Sequence, residues 1–321
     1  MITVESHGAF GANGVGLERL PFPLSFNVAE AEGSWTVSGA AARAWELIDV
    51  LTRTANDTVV VLNLESNSLF DKDNRPWPPS RIAAQRGVAC TARPVGDRAA
   101  GSMDLGEEFL MMRRDDLPRF LGGGWAPYEL SLVDVPAGTT AERLDALELA
   151  VGAAVVAGEP VLPRLSGSRF WYSGHDDCYL TAESTDPAMP PALLARLLAL
   201  LAGSALIGAG HSAPVEVPEP DEALPRRLIA ESPHWVGSVR EATGTTVTVG
   251  LSALSQPWRL GGQPPERLDY AATLDLTRGG WGLAAGAAGG EEAFQDCYHL
   301  LRADYVPAVV SADSCRRSTQ S

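Results

Sequence analysis

The feature that most constrains the fold is a repeat at the centre of the chain. Writing residues 128–154 above residues 179–205 without a gap aligns Tyr128 with Tyr179, Pro136-Ala137 with Pro187-Ala188, and Ala141 with Ala192. The same register matches Leu147 with Leu198, Leu149 with Leu200, Gly152 with Gly203 and Ala154 with Ala205. Each copy reads as a strand, a Pro-Ala loop and a helix. The loop proline ends the strand, Thr139 or Thr140 (Pro190 and Pro191 in the second copy) opens the helix, and Gly152 or Gly203 lets it stop. Short apolar runs follow, Val155-Val156 and Leu206-Ile207, and the second reads as a strand after its helix. The pattern is that of a duplicated strand–loop–helix unit.

The repeat bears on the stretch from Pro191 to Gly210, which is apolar apart from Arg196 and a few small residues. A central Arg costs roughly 2.5–3.5 kcal/mol on insertion scales, and neither flank supplies a basic anchor. The equivalent helix of the first copy carries Asp145 and Glu148, so the pair reads as core helices and no membrane association is expected.

Outside the repeat, strands are expected at residues 2–5 and 25–28, with 35–37 as the second arm of a hairpin turning at Glu32-Gly33. Ser38 is a candidate N-cap for a helix over 40–54, where Ala44, Leu47, Ile48 and Leu51 recur at helical spacing. The VVVL run inside 58–64 reads as a buried strand. Residues 71–102 are rich in Pro, Arg, Asp and Gly and read as irregular. Residues 108–113 read as a strand, followed by a short turn capped by Asp115 or Asp116.

Beyond the prolines at 218 and 220, residues 246–251 and 270–276 alternate as strands and 281–284 adds a third. A last helix over 291–303 precedes a polar tail. The fold class expected is α+β, with mainly antiparallel sheets packed against a few helices. The domain reading is an N-terminal unit at 1–102, the repeated units at 103–217, a β-rich unit at 218–310 and a disordered tail at 311–321.

The formal net charge of −15 argues against nucleic acid as a ligand, since the field of the whole protein repels phosphate. It favours a basic partner where there is one. Cys90, Cys178, Cys297 and Cys315 are scattered with no C-x-x-C pair, and the first residues show no export signal. Reduced thiols and a cytoplasmic location are expected.

The sharpest polar cluster is His175-Asp176-Asp177-Cys178, between apolar runs. A His beside carboxylates and a thiol can bind a metal, with His175 and Asp177 as ligands, or pair a base with a nucleophile. Adjacent strand residues point to opposite faces, however, and Gly174 followed by His and two Asp also suits a hairpin loop. His211 sits in a Gly-His-Ser-Ala-Pro segment where proline replaces the second glycine of a nucleophile elbow. The glycines from Gly8 to Gly16 fit neither phosphate-loop spacing, and Asp71-Lys72-Asp73-Asn74 lacks the glycine and the glutamate of a calcium loop.

Trp77 and Trp258 lie in proline-flanked segments, where an aromatic can serve as an exposed anchor for a partner. Three readings follow. The first is a non-catalytic protein-binding factor of regulatory, scaffold or immunity type, with no cofactor. The second is a metal-dependent or Cys/His hydrolase using His175, Asp176, Asp177, Cys178 and His211, and the third a small-molecule carrier. The residues leave the oligomeric state open.

Overall fold

The chain divides into two units, each built on antiparallel strand pairs. The structure, a computed structural model, describes residues 23–31, 33–41, 58–65, 71–75, 77–94, 108–121, 129–135, 142, 146, 168–173, 179–209, 217–256 and 266–286. One unit comprises residues 1–29, 37–42 and 190–321, and the other residues 30–36 and 43–189. The class is α+β, with antiparallel sheets and four helices among the described residues.

The first unit holds most of β1 (Pro23–Ala31) and of β2 (Ser34–Ala41), with β9 (His234–Ala242), β10 (Thr246–Leu254), β11 (Arg267–Asp275) and β12 (Gly280–Ala285). Their order across the sheet is β12-β11-β10-β9-β1-β2. β1 and β2 meet at Gly33, whose φ of 75° is a conformation that glycine adopts without a Cβ penalty. β1 runs antiparallel to β9, with Leu24 opposite Gly237 and Phe26 opposite Trp235. Side chains alternate along each strand, so Leu24, Phe26, Trp235, Val249, Leu251, Tyr270, Ala272 and Leu274 share one buried face.

Two helices complete this unit as described: Met189–Gly208 and Ala223–Glu231. In chain order over the molecule they are α3 and α4, preceded by α1 (Pro79–Gln85) and α2 (Leu117–Leu121). α3 is buried almost all round, from Leu193 to Leu206, as expected of a helix that is apolar on every side. By length and a mean hydropathy of 1.7 it passes the test for crossing a membrane, yet 83% of that stretch is buried inside the protein. α4 buries Leu224, Pro225 and Leu228 and holds an exposed Arg226–Glu222 pair on its other side.

The other unit orders its strands β8-β7-β6-β3-β5-β4. These are β3 (Thr58–Glu65), β4 (Cys90–Pro94), β5 (Glu108–Arg113), β6 (Glu129–Val135), β7 (Ser168–Ser173) and β8 (Tyr179–Ser184). The consecutive burial of Val59, Val60, Val61 and Leu62 means that both faces of β3 are covered. A bulge between Val61 and Asn63 shifts its register against β6. A single 3-10 turn, Arg114–Asp116, leads from β5 into α2, which buries Leu117, Phe120 and Leu121.

Several sequence expectations are corrected. Ala40 and Ala41 are strand, because β2 continues through them; the rest of the helix expected at 40–54 lies outside the described residues. The segment 71–102 contains α1 and β4 where irregular chain was expected, since β5 supplies a ladder for β4 that local composition does not reveal. Leu206-Ile207 is helical, and α3 runs through Gly203 without stopping. Burial of its side chains from Leu193 to Leu206 offsets the roughly 1 kcal/mol that an interior glycine costs.

Both strands of the proposed repeat form, as β6 and β8, each beside β7. The second helix is α3. Glu142 and Ala146 of the first copy are helical, and the remainder of that helix lies outside the described residues. The expectations at 2–5, 291–303 and 311–321 also lie outside them.

Candidate functional site

Of the candidates from the sequence, only Trp77 is among the described residues. β7 and β8 pair with Ser173 opposite Tyr179, so His175, Asp176, Asp177 and Cys178 fall in the connection between two adjacent antiparallel strands. Those four residues, His211 after α3 and Trp258 after β10 lie outside the described residues. Among the described residues no group of three or more His, Cys, Asp or Glu is arranged to hold a metal ion.

The surroundings of Trp77 are built by a turn, two prolines and a short helix. Asp71 Oδ1 accepts from the Asp73 and Arg75 amides at 2.8 and 2.9 Å, closing an Asx turn around Asn74, whose φ is 60°. Pro78 then takes an extended conformation at the N-cap of α1, and Pro79 opens the helix with its φ already set. One face of α1 buries Pro79, Ile82 and Ala83. The Ser80 amide donates to Glu108 Oε1 on β5 at 2.5 Å, and Arg86 donates to the Phe120 carbonyl. The helix is thereby fixed at both ends.

On its open side the Arg81 guanidinium lies 4.1 Å from the centroid of the Trp77 ring, a cation–π contact worth about 0.5–1 kcal/mol at a solvent-accessible site. The indole is half-buried. Its Nε1–H is buried and has no acceptor among the described residues. Next to α1, β4 is an outer strand that pairs on one side only among the described strands. Cys90, Thr91, Ala92 and Pro94 on it are exposed. Burial and the nearby Glu108 carboxylate push the Cys90 thiol above its ordinary pKa, the opposite of what a nucleophilic thiolate requires. The arrangement offers an aromatic–guanidinium platform beside an open strand edge.

The first unit carries a second polar group. Ser252 Oγ donates to Asp269 Oδ1 at 2.5 Å across the β10–β11 pair, and Arg267 Nη2 stands 3.6 Å from the other carboxylate oxygen. Ser232 Oγ donates to the Leu254 carbonyl at 2.8 Å. His234 Nδ1 lies 3.0 Å from Asn27 Oδ1, an acceptor, which places the ring proton on Nδ1. Ser252 is thus paired directly with a carboxylate and His234 with a carboxamide, and the two do not form the serine–histidine bond of an activated nucleophile.

Burial depresses the His234 pKa below its ordinary 6.5. The neutral ring therefore favours the folded state, and the unfolded chain binds the proton more readily. Stability contributed by this group is complete above the unfolded pKa and is lost as pH falls through the lower folded value. Thermal melts at descending pH should show a loss below pH 6.5 that shrinks in His234→Gln. An identical loss in that variant would remove His234 from the account.

Arg196 of α3, only 9% exposed, pairs with Glu219 at 3.2 Å. The pair compensates a charge that the sequence places on an otherwise apolar helix.

No protein-family model matches this chain, and neither a curated protein nor a solved structure is significantly similar to it.

Proposed function

We propose that the chain is a cytoplasmic, non-catalytic protein-binding factor, of regulatory, scaffold or immunity type, which docks its partner on Trp77, α1 and the outer edge of β4. The observation that carries this reading is the Arg81 guanidinium stacked on Trp77 beside an exposed outer strand. Trp and Arg are the residue types most enriched where binding energy concentrates. An outer strand also offers backbone hydrogen bonds to an extended segment of a partner. The net charge of −15 favours approach of a basic partner, with an association rate that falls as salt rises.

Affinity purification of the full chain from its native host tests this. A protein retained in stoichiometric amount by the wild type and lost to Trp77→Ala, with the far-UV circular dichroism of the variant unchanged, is the expected result. Recovery of no stoichiometric protein contradicts the proposal. So does a stoichiometric transition metal that disappears in His175→Ala, which would return the connection between β7 and β8 to the role of a metal centre.

A further inference from the structure

The other open edge, β12, carries a distinct inference. The Gly286 amide donates to the Asp269 carbonyl at 2.8 Å, which sets the phase of the β11–β12 ladder. Bonded and non-bonded pairs alternate in an antiparallel ladder, so Gly280, Gly282 and Ala284 also bond towards β11. Trp281, Leu283 and Ala285 therefore direct their N–H and C=O groups away from it, to an edge that pairs with no other described strand.

Natural sheet edges are blunted by charge, proline or a bulge. β4 carries such residues, Arg93 and Pro94, at its C-terminal end only. β12 does not: from Gly279 to Gly290 the chain has neither a charged residue nor a proline. The apolar face of the sheet is also left open there. Tyr270, Ala272 and Leu274 on that face are buried, but Trp281 and Leu283 are half-buried, and Ala285 and, on β11, Leu268 are exposed.

We infer that β12 pairs antiparallel with β12 of a second copy of this chain, joining the two sheets about a twofold axis at Leu283. The strand is complementary to itself in three respects. Centring the axis on Leu283 sets Trp281 opposite Ala285 of the partner and Ala285 opposite its Trp281, large against small on both sides. The same pairing brings only Gly and Ala together on the other face. A twofold perpendicular to the sheet keeps both apolar faces on one side, so each copy extends the other's core edge. The strand brings no charge of its own to the contact, so the pairing sets no like charges opposite one another even though each molecule carries a net charge of −15. Trp281 is held for the role by its Nε1–H, which donates to the Pro218 carbonyl at 2.7 Å.

Sedimentation of the full chain in reductant, from about 1 to about 100 µM, reads the association directly. The wild type should reach twice the monomer mass of 33.9 kDa. Leu283→Lys and Leu283→Glu, each placing like charges on the axis, should be monomeric over the same range, and an equimolar mixture of the two should recover the dimer. That recovery separates an interface from a folding defect. Should the Leu283 variants fail to fold, Ala285→Pro, which removes an N–H directed to the open edge and none of the bonds to β11, is expected to weaken the dimer about tenfold, since the twofold removes that bond twice. A wild type that stays monomeric overturns the inference, as does a dimer unaffected by these substitutions or a mixture that fails to associate. Protection of the Trp281, Leu283 and Ala285 amides only on addition of a different protein would place another chain on this edge and overturn it equally.

Discussion

Trp235→Ala is expected to destabilise the protein by about 3–5 kcal/mol. Trp235 is 1% exposed and is the largest fully buried side chain among the described residues. Its ring stacks on Phe26 at a centroid distance of 6.0 Å and tilts against Tyr270 at 5.5 Å, so three strands, β1, β9 and β11, meet on it. Its Nε1–H also donates to the Ser232 carbonyl at 2.7 Å, in the turn between α4 and β9. Truncation opens a cavity between the strands and removes a donor from a buried acceptor. Trp235→Phe keeps the stacking and loses the hydrogen bond, and should cost roughly 1–2 kcal/mol. Urea unfolding of the three proteins checks both figures; equal midpoints for wild type and Trp235→Ala would mean that this ring is not central to the core.

Gly237→Ala should follow at about 1–3 kcal/mol or more. A Cβ at Gly237 would lie 2.5 Å from the Gly250 carbonyl oxygen and 2.8 Å from Leu251 Cδ2. The first of these is backbone in the neighbouring strand, so relief requires β9 and β10 to move apart. Gly250→Ala is the informative comparison. Its Cβ would meet the Arg240 side chain, at Nε and two carbons of the stem, and a flexible chain can be displaced at lower cost. Gly250→Ala should therefore be the milder change, and the reverse ranking in denaturant midpoints would contradict the close approach at Gly237.

The parts of this fold that were legible in the sequence are those whose signal is local. The VVVL run marked β3, alternation marked β10 and β11, residues 281–284 were read as a third strand beside them, and the Leu/Ala stretch marked α3 as a buried helix. What was missed depends on partners far away in the chain. β1 pairs with β9 across some two hundred residues, Pro23 opposite Ser238, and no window of sequence contains both. β9 itself, His234–Ala242, begins after a proline and includes Arg240 and Glu241, which mask its alternation. β4 has mostly exposed side chains and hence no apolar period to read; only the β5 ladder makes it a strand.

The candidate site was half legible. Trp77 stood out from its proline-flanked setting. Arg81 did not, because the stacking depends on α1 starting at Pro79 and turning residue 81 back towards the ring. A signal for that helix was present: two prolines at its start, then Ile82 and Ala83 as a buried pair. The polar bonds of the first unit, Ser252 to Asp269 and His234 to Asn27, join residues on different strands and leave no trace in local spacing.

The central claim is that the chain acts by docking another protein on Trp77 and Arg81. Its most direct test is calorimetric titration of the co-purified partner into wild type and into Trp77→Ala. The account predicts a dissociation constant at least about tenfold weaker for the variant, with the far-UV circular dichroism of the free variant matching that of the wild type at the titration temperature. Equal affinity for the two proteins would contradict it.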